Sequence, residues 1–260
     1  MKIKAFDLTD EEWNKLFLEN YNWYKSDKNN YSYWYERVKK CGINIAKSYI
    51  YQIPFEQYLN SHSDDKDKIK RFEEYIKDII KELPYRIYNI KNAVFSNKFN
   101  FESCIAYKND IPEKIGLINY ASACVGAGGY TELVVRELIN YDEYTIPTIY
   151  NGMPLRSEFR VFYDFDEKKV LYSVNYWDYD YCYSYLNTTD KIIFEHEKKR
   201  LEDNFIKRKD EVEKLVLDHM MEVNLTGKWS IDILYNELED NYWLIDMAEA
   251  HRSAYWKESE

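Results

Sequence analysis

A chain of 260 residues with 45 % hydrophobic and 32 % charged content is long enough to bury a substantial core, which excludes a disordered polypeptide. A net charge of −10 argues against broad nucleic-acid binding, although a local basic pocket stays compatible with an acidic surface. Cys41, Cys104, Cys124 and Cys182 lie far apart with no CxxC pair, which argues against a structural zinc site or a disulfide framework.

The opening MKIKAFDLTDEEWNKLF is charged throughout and lacks the apolar run of a signal peptide. No later stretch approaches the roughly 18 consecutive apolar residues of a membrane helix. A cytoplasmic protein with reduced thiols is therefore expected. From Leu8 to about Lys81 the pattern is mostly helical: Thr9 before Asp10, Glu11 and Glu12 reads as an N-cap with an acidic first turn. SDDKDKIKRFEEYIKDIIKEL places Ile69, Phe72, Ile76, Ile79, Ile80 and Leu83 near helical spacing, and Pro84 ends the run. Past Pro84 the chain turns β-rich. IYNIKNAVFSNKFNFESCIAY, GLINYASACV, TELVVRELI, TIPTIY, SEFRVFYDF and KKVLYSVNYW all read as strands, with DFDEKK as a hairpin turn between the last two. A strongly charged helix spans Thr189 to about Val223, and KWSIDILYNELEDNYWLIDMAEA reads as a closing hairpin. No Pro/Gly/Ser-rich linker interrupts the order, so an α+β or α/β chain of closely packed lobes is predicted.

Four clusters carry chemistry. Lys91 and Lys98 flank the turn in KNAVFSNK, and a lysine there reaches a phosphate or stays a solvated charge. Gly126, Gly128 and Gly129 in VGAGGY match no phosphate-loop pattern; they form either a plain hairpin loop or a mobile loop over phosphate oxygens. In LRSEFRVF, Arg156, Glu158 and Arg160 alternate, so a strand points all three to one face, either as cross-strand ion pairs or as a seat for an anion oriented by Glu158. Asp232 in WSIDIL and Asp246 in YWLIDMAEA are carboxylates inside apolar strands. They repel on neighbouring strands unless a cation lies between them, and such oxygen ligands suit magnesium, with Glu249 completing the set. The histidines His62, His196, His219 and His251 are scattered, and no Ser/His/Asp or Cys/His constellation is visible.

Lysines, glycines, arginines and paired acids in that order resemble the ATP-grasp superfamily over roughly residues 85 to 250. Within it the chain is similar to small bacterial and phage ATP-grasp proteins. More distantly, through LRSEFRVF and WLIDMAEA, it resembles the eukaryotic cell-division-cycle proteins that assist assembly of a translation initiation factor. The resemblance implies an α+β fold in which two lobes close on ATP: a helical or mixed N-terminal region over residues 1–84, a first lobe over 85–139 and a second over 140–260 with the metal-binding hairpin. It implies ATP and Mg²⁺ as cofactors, with Lys91 and Lys98 on the phosphates, Glu137, Leu138 and Ile139 at the adenine, and Asp142 or Glu143 at the ribose. Arg156, Glu158 and Arg160 would serve the terminal phosphate and an acyl substrate, and Asp232, Asp246 and Glu249 the metal. Ala248 stands where the family usually has asparagine. The implied activity is ligation of a small-molecule or peptide carboxylate to an amine through an acyl-phosphate. A nucleotide-loaded assembly chaperone or adaptor, or a phosphotransferase on the same lobes, is the alternative.

Overall fold

The computed structural model describes residues 9–139, 146–184 and 186–258. Its elements run α1 (Asp10–Lys25), α2 (Tyr31–Val38), β1 (Asn44–Ile45), β2 (Ser48–Gln52), α3 (Phe55–Ser61), α4 (Lys66–Ile79), β3 (Ile87–Asn92), β4 (Ile105–Tyr107) and α5 (Ile111–Cys124). Then follow β5 (Glu132–Arg136), β6 (Thr148–Ile149), β7 (Met153–Pro154), β8 (Ser157–Asp164), β9 (Lys169–Asn175), α6 (Tyr179–Tyr183), α7 (Thr188–Met220), β10 (Lys228–Asn236) and β11 (Asn241–Glu249). They fall into two compact units. The first joins the residues up to Asn30 with Tyr49–Asn97 and Ser103–Val135; the second joins Tyr31–Ser48, Lys98–Glu102 and the chain from Arg136 onward. Among the described residues, no helix is long and apolar enough to cross a membrane.

In the first unit, Thr9 caps α1 in both directions: its hydroxyl accepts from the Glu12 N–H, and its own N–H donates to the Glu12 carboxylate at 2.7 Å. A four-stranded sheet in the order β2-β5-β3-β4 carries the core. Phe72 and Ile76, one helical turn apart on α4, are buried with Tyr88 and Ile90 of β3, Leu133 and Val135 of β5, and Ile115 and Ile118 of α5. Two sequence expectations change here. The run from Leu8 to Lys81 contains not only helices but the strands β1 and β2, which are too short to leave a periodic signal. GLINYASACV lies in α5 and its C-terminal turn, not in a strand; Pro112 in the first helical turn is the start signal that its isoleucines and tyrosine mask. Gly126, Gly128 and Gly129 therefore join a helix to β5 and make no hairpin. Gly129 has φ +86°, and a Cβ there would come within 2.7 Å of Asn92 Oδ1, so this connection packs closely on the end of β3.

The second unit is built on a five-stranded sheet in the order β1-β11-β10-β8-β9, with the β6-β7 hairpin beside it. β8 is buried along nearly its whole length, and strand alternation divides its side chains cleanly. Its odd-numbered residues face the 33-residue helix α7: Phe159 packs on Phe205, and Ser157 accepts from Asn204. Trp229 of β10 lies on the same side and stacks on Tyr33 of α2. The even-numbered residues of β8 face the other way. Across that second face runs the C-terminal segment, with Ser253 against Ser230, Tyr255 donating to the Tyr176 carbonyl and Trp256 packed on Phe162.

Candidate functional site

Three charged residues stand in a row on the even face because of the strand register. Arg160 of β8 is directly opposite Asp232 of β10, and Asp232 is directly opposite Asp246 of β11. The second pairing depends on a β-bulge. From the turn as far as Ile233 opposite Leu244 the hairpin is regular; the next pair is Asp232 opposite Asp246, so Ile245 is an extra residue. Without it Asp232 would face Ile245, and the Asp246 carboxylate would turn to the apolar face beside Ile231 and Ile233. The Ile245 carbonyl accepts a hydrogen bond from Arg136 Nη1 at 2.8 Å. A second register shift, between Phe162 and Tyr163 in the pairing of β8 with β9, does the same for Tyr176. Its N–H donates to the Glu158 carbonyl, and its ring lies on the charged face.

Arg160 binds Asp232 as a fork, Nε to Oδ1 at 2.8 Å and Nη2 to Oδ2 at 2.7 Å, while Nη1 points to the Ala254 carbonyl at 3.4 Å. Burial works against the guanidinium charge, yet the Asp232 carboxylate more than restores it and raises the Arg160 pKa. Tyr176 carries two cations on one ring: the Arg160 guanidinium 4.8 Å from the centroid and the Lys98 ammonium 4.6 Å from it, with Lys98 also donating to the Tyr176 hydroxyl. Burial, then the like charge of Arg160, lowers the Lys98 pKa. Glu158 is pushed up to about 8, first by burial and then by the Asp232 charge, against the pull of Lys98, Arg160 and Arg156.

The sequence candidates separate as follows. Lys98, Glu158, Arg160, Asp232 and Asp246 meet on this face, and Arg156, 6 % exposed, bears electrostatically on Glu158. Lys91 is 2 % exposed on β3 of the first unit, whereas Lys98 belongs to the second. The Glu137 N–H is already taken by the Lys47 carbonyl, and Leu138 and Ile139 follow it half-buried. Asp142 and Glu143 lie outside the described residues. Glu249 does not join the acids: it is three residues beyond Asp246, on the alternate pleat opposite Trp229. It lines a separate cavity of about 420 Å³ with Lys228, His251 and Trp256. Among the described residues, no three acidic, histidine or cysteine side chains gather as a metal cage. The facing pair Asp232 and Asp246 nevertheless fits one magnesium ion, which takes one or two protein carboxylates and completes its shell with water and substrate phosphates. Sequence reading also expected a cation to relieve the Asp232 charge; in the structure the Arg160 guanidinium does so. Tyr176 and Arg136 were missed. Tyr176 stands in a predicted strand, but the shift that turns it has no sequence signal.

No protein-family model and no curated protein matches the chain. Among solved structures it is similar to Cdc123 from Schizosaccharomyces pombe, with a TM-score of 0.56 and 17 % identity over 90 % of this chain and 88 % of that one. A C-terminally truncated form of the same protein gives a TM-score of 0.52 and 16 % identity over the same shares. The VanG D-Ala:D-Ser ligase from Enterococcus faecalis gives 0.41 and 13 % over 86 % of this chain and 53 % of that one. The likeness to Cdc123 runs through nearly the whole of both chains and shows a shared fold. That shared fold is mixed α+β, the class that the sequence resemblance implies.

Proposed function

We propose that the chain binds ATP with magnesium at the charged face of the five-stranded sheet. It would then transfer the terminal phosphoryl group to a carboxylate, passing the resulting acyl-phosphate to an amine or another nucleophile. The observation that supports this most is the side-by-side placement of two facing acids, Asp232 and Asp246, and two cations, Lys98 and Arg160, that share the Tyr176 ring. A magnesium nucleotide needs both, an acid pair for the ion and a cation pair for the phosphate oxygens. When bound, magnesium supplies charge neutralisation at the transferring phosphoryl group. Asp232 and Asp246 hold it. Arg160 exchanges its fork on Asp232 for phosphate oxygens, staying over Tyr176, while Lys98, on the same ring, meets the same anion. Leu138 and Ile139 with Glu137 border the adenine, and Arg156 draws the second substrate. The substrate carboxylate oxygen bonds to the γ-phosphorus as ADP leaves, and phosphate leaves when the nucleophile takes the acyl carbon. No protein nucleophile is required; positioning and charge do the catalysis.

A nucleotide-loaded assembly factor with little turnover is a second reading, favoured by Ala248. Its methyl group sits on the same pleat as Asp246 and opposite Ser230, and offers no ligand for a second ion. ATP consumption measured against a panel of carboxylates and amines tests the two. Turnover that requires one carboxylate and one amine is expected. Saturable nucleotide binding with no consumption across a broad panel would favour the assembly factor.

A further inference from the structure

Arg136 takes no part in the chemistry just described, yet its side chain reaches the one irregularity on which the acid pair depends. It is the last residue of β5 and immediately precedes Glu137–Ile139. Its Nη1 donates to the Ile245 carbonyl at 2.8 Å, and its guanidinium lies 5.7 Å from the centre of the Tyr31 ring. Ile245 is the extra residue of the β11 bulge, and a bulged residue falls out of the regular ladder, so its carbonyl needs a partner from elsewhere. One residue further on, Asp246 points to Asp232 because the bulge turned it there. The carboxylate also bears electrostatically on Tyr31, the ring that Arg136 covers.

Resting on the metal reading of Asp232 and Asp246, we propose that Arg136 is the positioning residue for the metal acid. By fixing the Ile245 carbonyl it sets the orientation of the peptide that leads into Asp246, and so keeps the Asp246 carboxylate aimed at Asp232. The alternative register would bury the Asp246 carboxylate on the apolar face beside Ile231, which is costly, so the bulge itself persists without Arg136. What Arg136 sets is the direction of the carbonyl and, through the next peptide, of the carboxylate. Groups that orient a metal ligand in this way typically change metal affinity by about 10–100-fold when removed.

The test is calorimetry of a non-hydrolysable ATP analogue in magnesium and in EDTA, on the full chain, for wild type, Arg136→Met, Arg136→Lys and Asp246→Asn. Arg136→Met is expected to lose about tenfold of the magnesium-dependent gain in affinity. Its affinity in EDTA should stay within about twofold of wild type, since the contacts to the nucleotide itself are intact. Lysine keeps a donor, so Arg136→Lys should recover part of the gain. In the Asp246→Asn background Arg136→Met should cost nothing more, because it acts through that carboxylate. If Arg136→Met is too unstable to titrate, Arg136→Gln, whose shorter amide leaves the carbonyl out of reach, takes its place with the same two readings. A full magnesium gain in these variants overturns the positioning role while leaving the metal reading standing. Absence of any magnesium gain in wild type overturns the metal reading, and this role with it.

Discussion

Asp232 and Asp246 face each other across two strands, and the Arg160 fork holds Asp232, so replacing each with asparagine should have unequal effects on stability. Both side chains of the Arg160–Asp232 pair are largely buried, 12 % and 9 % exposed. Asparagine at position 232 keeps one acceptor for Arg160 and turns an NH₂ donor toward the second N–H. One charge-assisted bond is lost, worth about 1.5–3 kcal/mol, and full rupture of a buried pair, about 3–5 kcal/mol, sets the ceiling. A loss of about 2–3 kcal/mol is expected for Asp232→Asn, or roughly 5–10 °C in Tm for a chain of this size. Asp246→Asn keeps the oxygen that accepts from the Met247 N–H and relieves the repulsion with Asp232, so its loss should not exceed about 1 kcal/mol. Urea unfolding at pH 7 without magnesium, followed by circular dichroism, measures both. Equal losses, or a larger loss for Asp246→Asn, would show that the fork does not carry Asp232.

Gly129→Ala should destabilise by at least about 2 kcal/mol, since its Cβ meets Asn92 Oδ1 at 2.7 Å and the Val94 nitrogen at 2.9 Å on top of a left-handed φ. Gly126→Ala has open space around it, so only the cost of φ +67°, about 1 kcal/mol, should appear in the same melts. Burial lowers the His62 pKa from 6.5; its Nδ1 lies 2.8 Å from the Tyr58 carbonyl, and its ring packs on Tyr58 and Tyr130. The unfolded chain therefore binds more protons than the folded one, and stability should fall as pH drops below about 6.5. His62→Phe should flatten that part of the wild-type curve between pH 7 and pH 5, and an unchanged slope would refute the assignment. Tyr176→Phe keeps the ring under Lys98 and Arg160 and should hold magnesium-nucleotide affinity within about threefold. Tyr176→Leu removes the surface both cations rest on and should cost about tenfold by calorimetry.

The elements of the second unit were largely legible because their patterns are strong. β8 and β9 are rich in aromatic and β-branched residues, the DFDEKK turn joins them, and α7 runs from Thr188 to Met220 against a predicted Thr189 to about Val223. What the sequence could not show was register. The same residues Asp232 and Asp246 read as neighbours on a hairpin, but whether their carboxylates share a face depends on Ile245 falling out of the ladder, and nothing in NYWLIDMAEA marks that residue. The β8–β9 shift hid Tyr176 in the same way. The partner of Arg160 was hidden for a different reason: a fork to Asp232 is a contact 72 residues apart, set by strand order. Glu249 was readable in principle, since an odd spacing from Asp246 on one strand already points it to the other face. In α5 the error ran the other way. Ile, Tyr and Val outweighed Pro112, although much of that helix's apolar content, including Leu117 and Tyr120, is exposed and supplies no burial signal.

The central claim is that the charged face binds a magnesium nucleotide through its acid pair. Isothermal titration of the full chain with a non-hydrolysable ATP analogue tests this most directly, run in magnesium and in EDTA, for wild type and for Asp232→Asn with Asp246→Asn. Saturable binding is expected, tightened by magnesium in wild type and indifferent to it in the double variant. No binding at millimolar nucleotide, or a magnesium effect that survives loss of both carboxylates, would contradict the account.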